Sequence, residues 1–408
     1  VLNPANIHGK LSRSGDVDVF AVTLVRGQTL VASLDAHQQL RSPIDAILQV
    51  VDSDQETILE QNHDHHGLDP QVAFQAQRDG VYYVRLFAFP SQPDSSIRHY
   101  GSDLSVYQLT LTTEGFLNSV FPFAAKNDEP AKILLHGWNL PSRTCTLSPT
   151  MNRVMLNRVA NTMLIRRVDH DVHDLRAPRA DAIPIPFTGS GLLNKNPATF
   201  QIKCPRKQTI ALHLETVPLN SHLQPVVQIL DKTDKAVAKF EPAKLHEDIE
   251  ATFVPPDDGN YRVVIRDLYG NYGPDCSYRI TITEALPDFR PTLISDSLTV
   301  STDKPLDVTV TTGIVHGFSE KIEWTIEGSP KSVSLTEKNN QDKPDGKSVT
   351  LQLTATKAGF AGPVKIVGKS ASGITRTVNC KLPNFDHSIT TFWLTVVPKP
   401  KAGKKVDQ

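Results

Sequence analysis

Methionine and tryptophan are scarce in this 408-residue chain, three of each, and cysteine is limited to four. Cys145, Cys204, Cys276 and Cys380 form no Cys-x-x-Cys pair and no zinc-type spacing, which excludes a zinc ribbon or a thioredoxin-like redox motif. Neither sign of charge is in excess: 43 Lys+Arg stand against 44 Asp+Glu, a formal net charge of −1. That balance argues against a nucleic-acid binder held by phosphate neutralisation, and no polybasic patch suits an acidic membrane surface. No apolar run reaches the roughly 18 residues of a membrane span. No Gly-x-Gly-x-x-Gly or Walker-type loop occurs, and Gly189-Ser-Gly191 is too short for a nucleophile elbow. His246-Glu247 has no second histidine four residues on, so the zincin motif fails. The absence of any Asn-x-Ser/Thr acceptor favours a bacterial source over a eukaryotic secreted glycoprotein.

What is present is enough apolar residue to build cores, 39% hydrophobic against 21% charged, so broad disorder is excluded. Length alone suggests roughly three domains. The chain starts at Val1 without a leader and reads as a fragment or mature form, with other domains expected N-terminal to Val1. Its organising feature is an internal repeat in which the segment 9–113 returns at 189–284. Gly9 meets Gly189, Phe20 meets Phe200 and Gln28-Thr29 meets Gln208-Thr209 at an offset of 180. After a one-residue slip, Ser42/Ser221, Asp52/Asp231, Phe74/Phe253, Asp79-Gly80/Asp258-Gly259 and Tyr82/Tyr261 follow, and a shorter loop then places Tyr107 on Tyr278.

Within each copy the pattern is β. Residues 28–34 and 208–214 alternate apolar and polar with the period of a half-buried strand. Asp79-Gly80 and Asp258-Gly259 supply turns that each open a strand. Seven or eight strands per copy with regular turn signals predict a β-sandwich. The whole reads as an all-β tandem array: copy 1 over 1–114, a small β unit over 115–170, copy 2 over 171–286, an immunoglobulin-like sandwich over 287–397, and a disordered basic tail over 398–408. Trp324 is expected on a central strand of the fourth unit, whose single Cys380 rules out an inter-sheet disulfide. Cys204 and Cys276 fall in one proposed domain, where either a disulfide or two buried thiols fits the sequence.

The series Gly15-Asp-Val-Asp-Val-Phe20, Gly27-Gln-Thr-Leu30, Ser42-Pro-Ile-Asp45, Asp79-Gly-Val-Tyr82 and Tyr107-Gln-Leu-Thr110 resembles the bacterial pre-peptidase C-terminal domain family. Phe200, Gln208-Thr209, Asp258-Gly-Asn-Tyr261 and Tyr278-Arg-Ile280 make copy 2 similar to a diverged member. Leu134-Leu-His-Gly-Trp-Asn-Leu140 resembles an IPT/TIG-type unit, and the array is similar to those of large exported planctomycete-type proteins. The resemblance implies a jelly-roll-like sandwich in a secreted protein, often placed after a peptidase. It also implies, in some members, binding of calcium or of extracellular polymers such as collagen. Its acidic positions fall on Asp16, Asp18 and Asp45; copy 2 has Asn196, Ala198 and Gln224 there, so if carboxylates, hard oxygen ligands suited to calcium, bind that ion here, only copy 1 can.

Two histidine runs stand out. Asn62-His-Asp-His-His-Gly67, followed by Asp69, offers transition-metal ligands or a solvated hairpin loop, the second being the reading adopted. Val168-Asp-His-Asp-Val-His-Asp174 reads as a polar linker into copy 2. Phe87, Phe89, Tyr100, Tyr269 and Tyr272 belong to loops ahead of each final strand and are the candidate ligand-binding residues, since aromatics on scaffold loops typify polymer or protein recognition. The function expected is a non-catalytic, extracytoplasmic binding or spacer array of a larger secreted or surface bacterial protein. It would take an extracellular polymer or protein ligand and no nucleic acid. The alternatives are a targeting or processing module of a secreted peptidase or other hydrolase, and a metal enzyme using His63, Asp64, His65 and His66.

Overall fold

Apolar residues spaced two apart place Leu30, Ala32 and Leu34 of the strand Thr29–Asp35 on one side, fully buried, and the same spacing recurs along nearly every element of the chain. A computed structural model describes residues 4–92, 98–245, 247–338, 348–381 and 388–399. Two single turns, His37–Leu40 and Val217–Leu219, are the helices among the described residues; the regular structure is otherwise β. The chain divides into two compact units, Val1–Ala285 and Leu286–Gln408. From residue 400 the expected basic tail lies outside the described residues.

The first unit holds two sandwiches with one topology. In the first, Ala5–Lys10, Val106–Thr112, Thr29–Asp35 and Gln71–Gln75 form one sheet in that order; Asp18–Leu24, Gly80–Pro90, Ile44–Val51 and Ile58–Asn62 form the other. In the second, Phe187–Leu192, Ser277–Glu284, Ile210–Glu215 and Ile249–Phe253 repeat the first sheet, and Ala198–Cys204, Gly259–Asp267, Pro225–Leu230 and Ala236–Phe240 the second. The run read as a linker is instead a strand: Asp171–Asp174 adds in parallel to Phe187–Leu192 and makes that sheet five-stranded.

Register explains the repeated residues. Phe20 lies opposite Val84, as Phe200 does Val263. Gly9 lies opposite Tyr107 and Gly191 opposite Tyr278, and a Cβ on either glycine would stand 2.2 Å from the tyrosine ring. The equivalent of Gly9 is therefore Gly191, two residues from the Gly189 that the sequence offset selects. Tyr82 and Tyr261 each donate a hydroxyl proton to the carbonyl four residues upstream, at Arg78 and Asp257 (2.9 and 2.8 Å), and each ring packs 5.3 Å from Phe74 or Phe253. Asp79 and Asp258 accept the backbone N–H of Arg26 and Arg206, both at 2.7 Å, and so tie each hairpin to the neighbouring turn. Cys204 and Cys276 are buried free thiols.

Between the two sandwiches sits the small unit. Thr144–Leu147, Ala131–Trp138 and Phe116–Phe121 form its sheet, over a core of Leu117, Val120, Ile133, Leu135, Val154 and Ile165 with a few neighbours. A core this size is marginal alone. It rests on the outer face of each sandwich: Val31, Ser33, Thr110 and Thr112 of copy 1 are buried although they point away from the inter-sheet core. Asn139 donates to the Thr29 carbonyl at 2.9 Å on that side, and Phe123 N–H donates to Ser190 Oγ at 3.0 Å on the other.

The second unit pairs the sheet Ser297–Ser301, Phe392–Val397, Ala361–Ser370, Ile322–Glu327 with the sheet Leu306–Thr311, Ser348–Ala355, Val333–Glu337. Val310, Leu351, Leu353, Ile366, Phe392 and Leu394 fill the space between them. Trp324 stands on Ile322–Glu327, the terminal strand of its sheet and not a central one, and packs at 6.4 Å from Phe289.

Candidate binding face and buried polar junctions

The aromatic candidates part company in the structure. Phe87 and Phe89 are not in a loop: they belong to the strand Gly80–Pro90, paired with Ile47 and Asp45. Both rings are half-buried and close on His99, stacked at 4.7 Å for Phe87 and edge-on at 5.7 Å for Phe89. Tyr100 packs on the sandwich core, its N–H donating to the Ala88 carbonyl at 2.7 Å. Copy 1 thus covers its aromatics with its own chain.

Copy 2 leaves them bare. After the strand Gly259–Asp267 the chain turns through 268–273, and Leu268, Tyr269 and Tyr272 are 50%, 63% and 59% exposed. The backbone beneath them is fixed. Asp267, buried, accepts the N–H of Tyr269 (2.9 Å), Asn271 (2.8 Å) and Gln224 (2.7 Å), and Gly273 N–H donates to the Leu193 carbonyl at 2.9 Å. Gly270 and Gly273, at φ of 85° and 123°, supply the turns that a side chain would resist. Beside Leu268 lies an open cleft of about 310 Å³ whose walls include Pro225, Val226, Pro242, Lys244 and the half-exposed Leu245. Exposed aromatic side chains on a hydrogen-bonded backbone next to a cleft are an arrangement suited to holding a ligand.

The three proposed calcium ligands do not converge. Asp16 accepts the Ser12 N–H at 2.6 Å, closing a turn, and Asp18 accepts the Tyr107 hydroxyl. Asp18 is in register with Leu86, which faces the core, whereas Asp45 is in register with Phe89 on the opposite face of that sheet. Asp45 instead neighbours Asp64, His63 and His37; burial pushes its pKa up, Asp64 adds to this, and the two histidines oppose it.

Nor is the His-Asp-His-His run simply a solvated loop. His63 is exposed and bonded to Asp64 at 2.8 Å, but His65 turns inward to Asn118 (3.3 Å) and Gln71 (3.1 Å), and its carbonyl contacts His222 of copy 2 at 2.8 Å. Burial, with His65 and His222 nearby, pushes His66 down to about 3, and its Nδ1 has no partner. Asp69 is buried and accepts the N–H groups of Ala36, His37 and Gln38. The loop joins copy 1, the small unit and copy 2.

A second junction escaped the sequence reading. Glu215 and Arg279, 2% and 6% exposed, form a two-point ion pair at 2.7 and 2.8 Å, and Arg166 of the small unit reaches the same carboxylate at 2.8 Å. Arg279 also donates to the Phe123 carbonyl at 2.9 Å. Burial pushes Glu215 up, but the hydrogen bonds and charge of Arg279, with the charge of Arg166, outweigh it and hold the carboxyl below its usual range. His213, Glu215 and Asp248 place ligand atoms within 4.8 Å of one another. Two guanidinium groups already neutralise that site, and Asp248 caps the Thr216 and Val217 N–H groups (2.7 and 2.9 Å), so the donors do not suit a cation. The corresponding set in copy 1 is Asp35, Gln108 and Asp69, where the uncharged Gln108 takes the place of Arg279 and burial, with Asp69, raises Asp35 to about 6. The one signal in the sequence was the exchange of Gln108 for Arg279 beside the repeated tyrosine.

No protein-family model and no curated protein matches the chain. Among solved structures it is similar to the Clostridium perfringens M60 catalytic domain with its CBM51-1 and CBM51-2 domains, at 10% identity and a TM-score of 0.24, over 95% of this chain and 40% of that one. It is also similar to Escherichia coli alpha-2-macroglobulin activated by porcine elastase, at 11% identity and a TM-score of 0.15, over 93% of this chain and 31% of the other. Likenesses of this size carry no argument about fold or function.

Proposed function

We propose that the chain is a non-catalytic, extracytoplasmic binding array within a larger secreted or surface bacterial protein, and that copy 2 carries its ligand contact. The observation that carries this reading is the exposure of Leu268, Tyr269 and Tyr272 on a backbone locked by Asp267, where copy 1 holds its aromatics half-buried against His99 and the core. Exposed large aromatics add nothing to folding, and on a rigid scaffold they are the residues that anchor partners. The placement outside the cytoplasm follows from the resemblance to the pre-peptidase C-terminal family. The ligand class is an extracellular polymer or protein.

The test is co-sedimentation of the full chain with fibrillar collagen, chitin and bacterial sacculi. The chain should pellet with one of them, and the double variant Tyr269→Ala/Tyr272→Ala should lose at least about tenfold in affinity, the scale of two anchor side chains. Equal pelleting by both proteins, or turnover of a polymer that depends on one residue of the chain, contradicts the reading.

A further inference from the structure

Among the described residues of the second unit, the most exposed aromatic is Trp393, 54% exposed on the strand Phe392–Val397. Its neighbours Phe392 and Leu394 are fully buried, so strict alternation aims the indole at solvent. The strand is central, flanked by Ser297–Ser301 and Ala361–Ser370. Register sets the surroundings of the ring: Ser297 lies beside it on one strand and Pro363 on the other, and one step along, Thr395 lies between Thr299 and Ala361. Ser297, Thr299, Ala361 and Pro363 are all exposed. The result is a face with one indole, three hydroxyl side chains and two small apolar residues; the next outward residue beyond Pro363 is exposed Lys365, in register with exposed Glu327.

We infer that this outer sheet face is a binding platform for a neutral polysaccharide, with the Trp393 indole as the stacking surface. A pyranose ring has C–H bonds on one face, which match an aromatic plane, and hydroxyls around its rim, which match Ser297, Thr299 and Thr395 as donors and acceptors. The nearest cation, Lys365, lies directly opposite Glu327, an opposite-charge cross-strand pair, so the platform offers no unopposed positive charge of the kind that uronic acids, sulfated sugars and phosphates ask for. A second protein fits less well. Three strands at about 4.8 Å spacing and two outward positions on each span about 10 by 7 Å, which matches about one sugar ring. A stable protein interface instead covers about 800 Å² on each partner and uses several apolar anchors. The platform is remote in sequence from the tyrosine loop and does not depend on it, so either assignment can fail alone.

Affinity electrophoresis of the full chain through gels containing galactomannan, xyloglucan, laminarin or dextran tests this directly. At least one polysaccharide should retard the chain. Trp393→Ala should weaken that retardation at least about tenfold, as loss of a central aromatic anchor does. Because Trp393 is more than half exposed, the same variant should move Tm by no more than about 2 °C. Acrylamide quenching gives a second readout: the retarding polysaccharide should shield fluorescence in the parent and leave the Trp393→Ala protein, which keeps Trp138 and Trp324, unchanged. The inference is overturned if no gel retards the chain, if Trp393→Ala is retarded equally, or if the chain sediments as a dimer that Trp393→Ala dissociates. Loss of retardation in Tyr269→Ala/Tyr272→Ala with Trp393→Ala unaffected would overturn it while supporting the copy 2 face.

Discussion

The two copies share a topology, a tyrosine–carbonyl lock and a glycine under the final-strand tyrosine, yet they differ where each meets something else. Copy 1 closes its aromatics under His99 and places two acids, Asp35 and Asp69, side by side, with the uncharged Gln108 in the place of Arg279. Copy 2 exposes its aromatics and neutralises the equivalent acids with Arg279 and Arg166. The hydrophobic frame is what duplication preserves, because each inward position has about the same volume to fill. The outer face and the loops answer to local partners, and there the copies have diverged.

The largest effect expected is at the buried ion pair. Arg279→Ala leaves Glu215 buried with half its compensation and removes the donor to Phe123, at a cost of about 3 kcal/mol in denaturant unfolding. Its counterpart Gln108→Ala, with no charge to strand, should cost under about 1 kcal/mol. Similar losses at both positions would erase the distinction between the copies.

Next comes Asp35. Its folded pKa of about 6 lies above the ordinary 3.8, so its favourable contribution is complete below about pH 4 and is lost as pH rises through 6. Asp35→Asn should therefore stabilise the protein at pH 7 by about 2–3 kcal/mol and make no difference at pH 3.5, measured by urea unfolding at the two pH values. His66 works in the opposite sense, since its lowered pKa means stability lost as pH falls below about 6.5. Histidine-to-glutamine replacement there should flatten the acid limb that Asp35→Asn leaves behind.

The tyrosine locks should show no difference between copies. Tyr82→Phe and Tyr261→Phe each delete one hydroxyl-to-carbonyl hydrogen bond of 2.9 and 2.8 Å, and each should cost about 1 kcal/mol by the same measurement. Smallest of all is calcium. With Asp18 and Asp45 on opposite faces of one sheet, Asp16→Ala/Asp45→Ala should leave the Tm difference between EDTA and added Ca²⁺ where it was. A calcium-dependent shift that vanishes in this double variant would restore the triad as a site.

The sequence made the frame readable because alternation and repetition are local properties. Phe74/Phe253 and Tyr82/Tyr261 could be paired by offset alone, and both pairs pack as that pairing implies. The one slip was at the first strand, where two residues more between Gly9 and Phe20 than between Gly191 and Phe200 shift the true partner from Gly189 to Gly191. Phe87 and Phe89 were expected in a loop, whereas their strand runs on to Pro90, which lies in register with Ile44. What stayed hidden was long-range. Arg166, Glu215 and Arg279 come from three separate segments: strand register sets Glu215 opposite Arg279, and the small unit brings Arg166 to them. The burial of His65 and His66 is of the same kind, set by Asn118 and His222. Trp393 was legible in principle, since Phe392, Leu394 and Val396 claim the inward side of its strand.

The most direct test of the division of roles between copies is to run the polymer co-sedimentation assay on two matched pairs of variants. Tyr269→Ala/Tyr272→Ala should weaken pelleting at least about tenfold while lowering stability by no more than about 1 kcal/mol, because both residues are more than half exposed. Phe87→Ala/Phe89→Ala should lower stability by about 2 kcal/mol or more through the lost stack on His99 and still pellet like the parent. Loss of pelleting in the phenylalanine pair alone, with the tyrosine pair binding normally, would contradict the account.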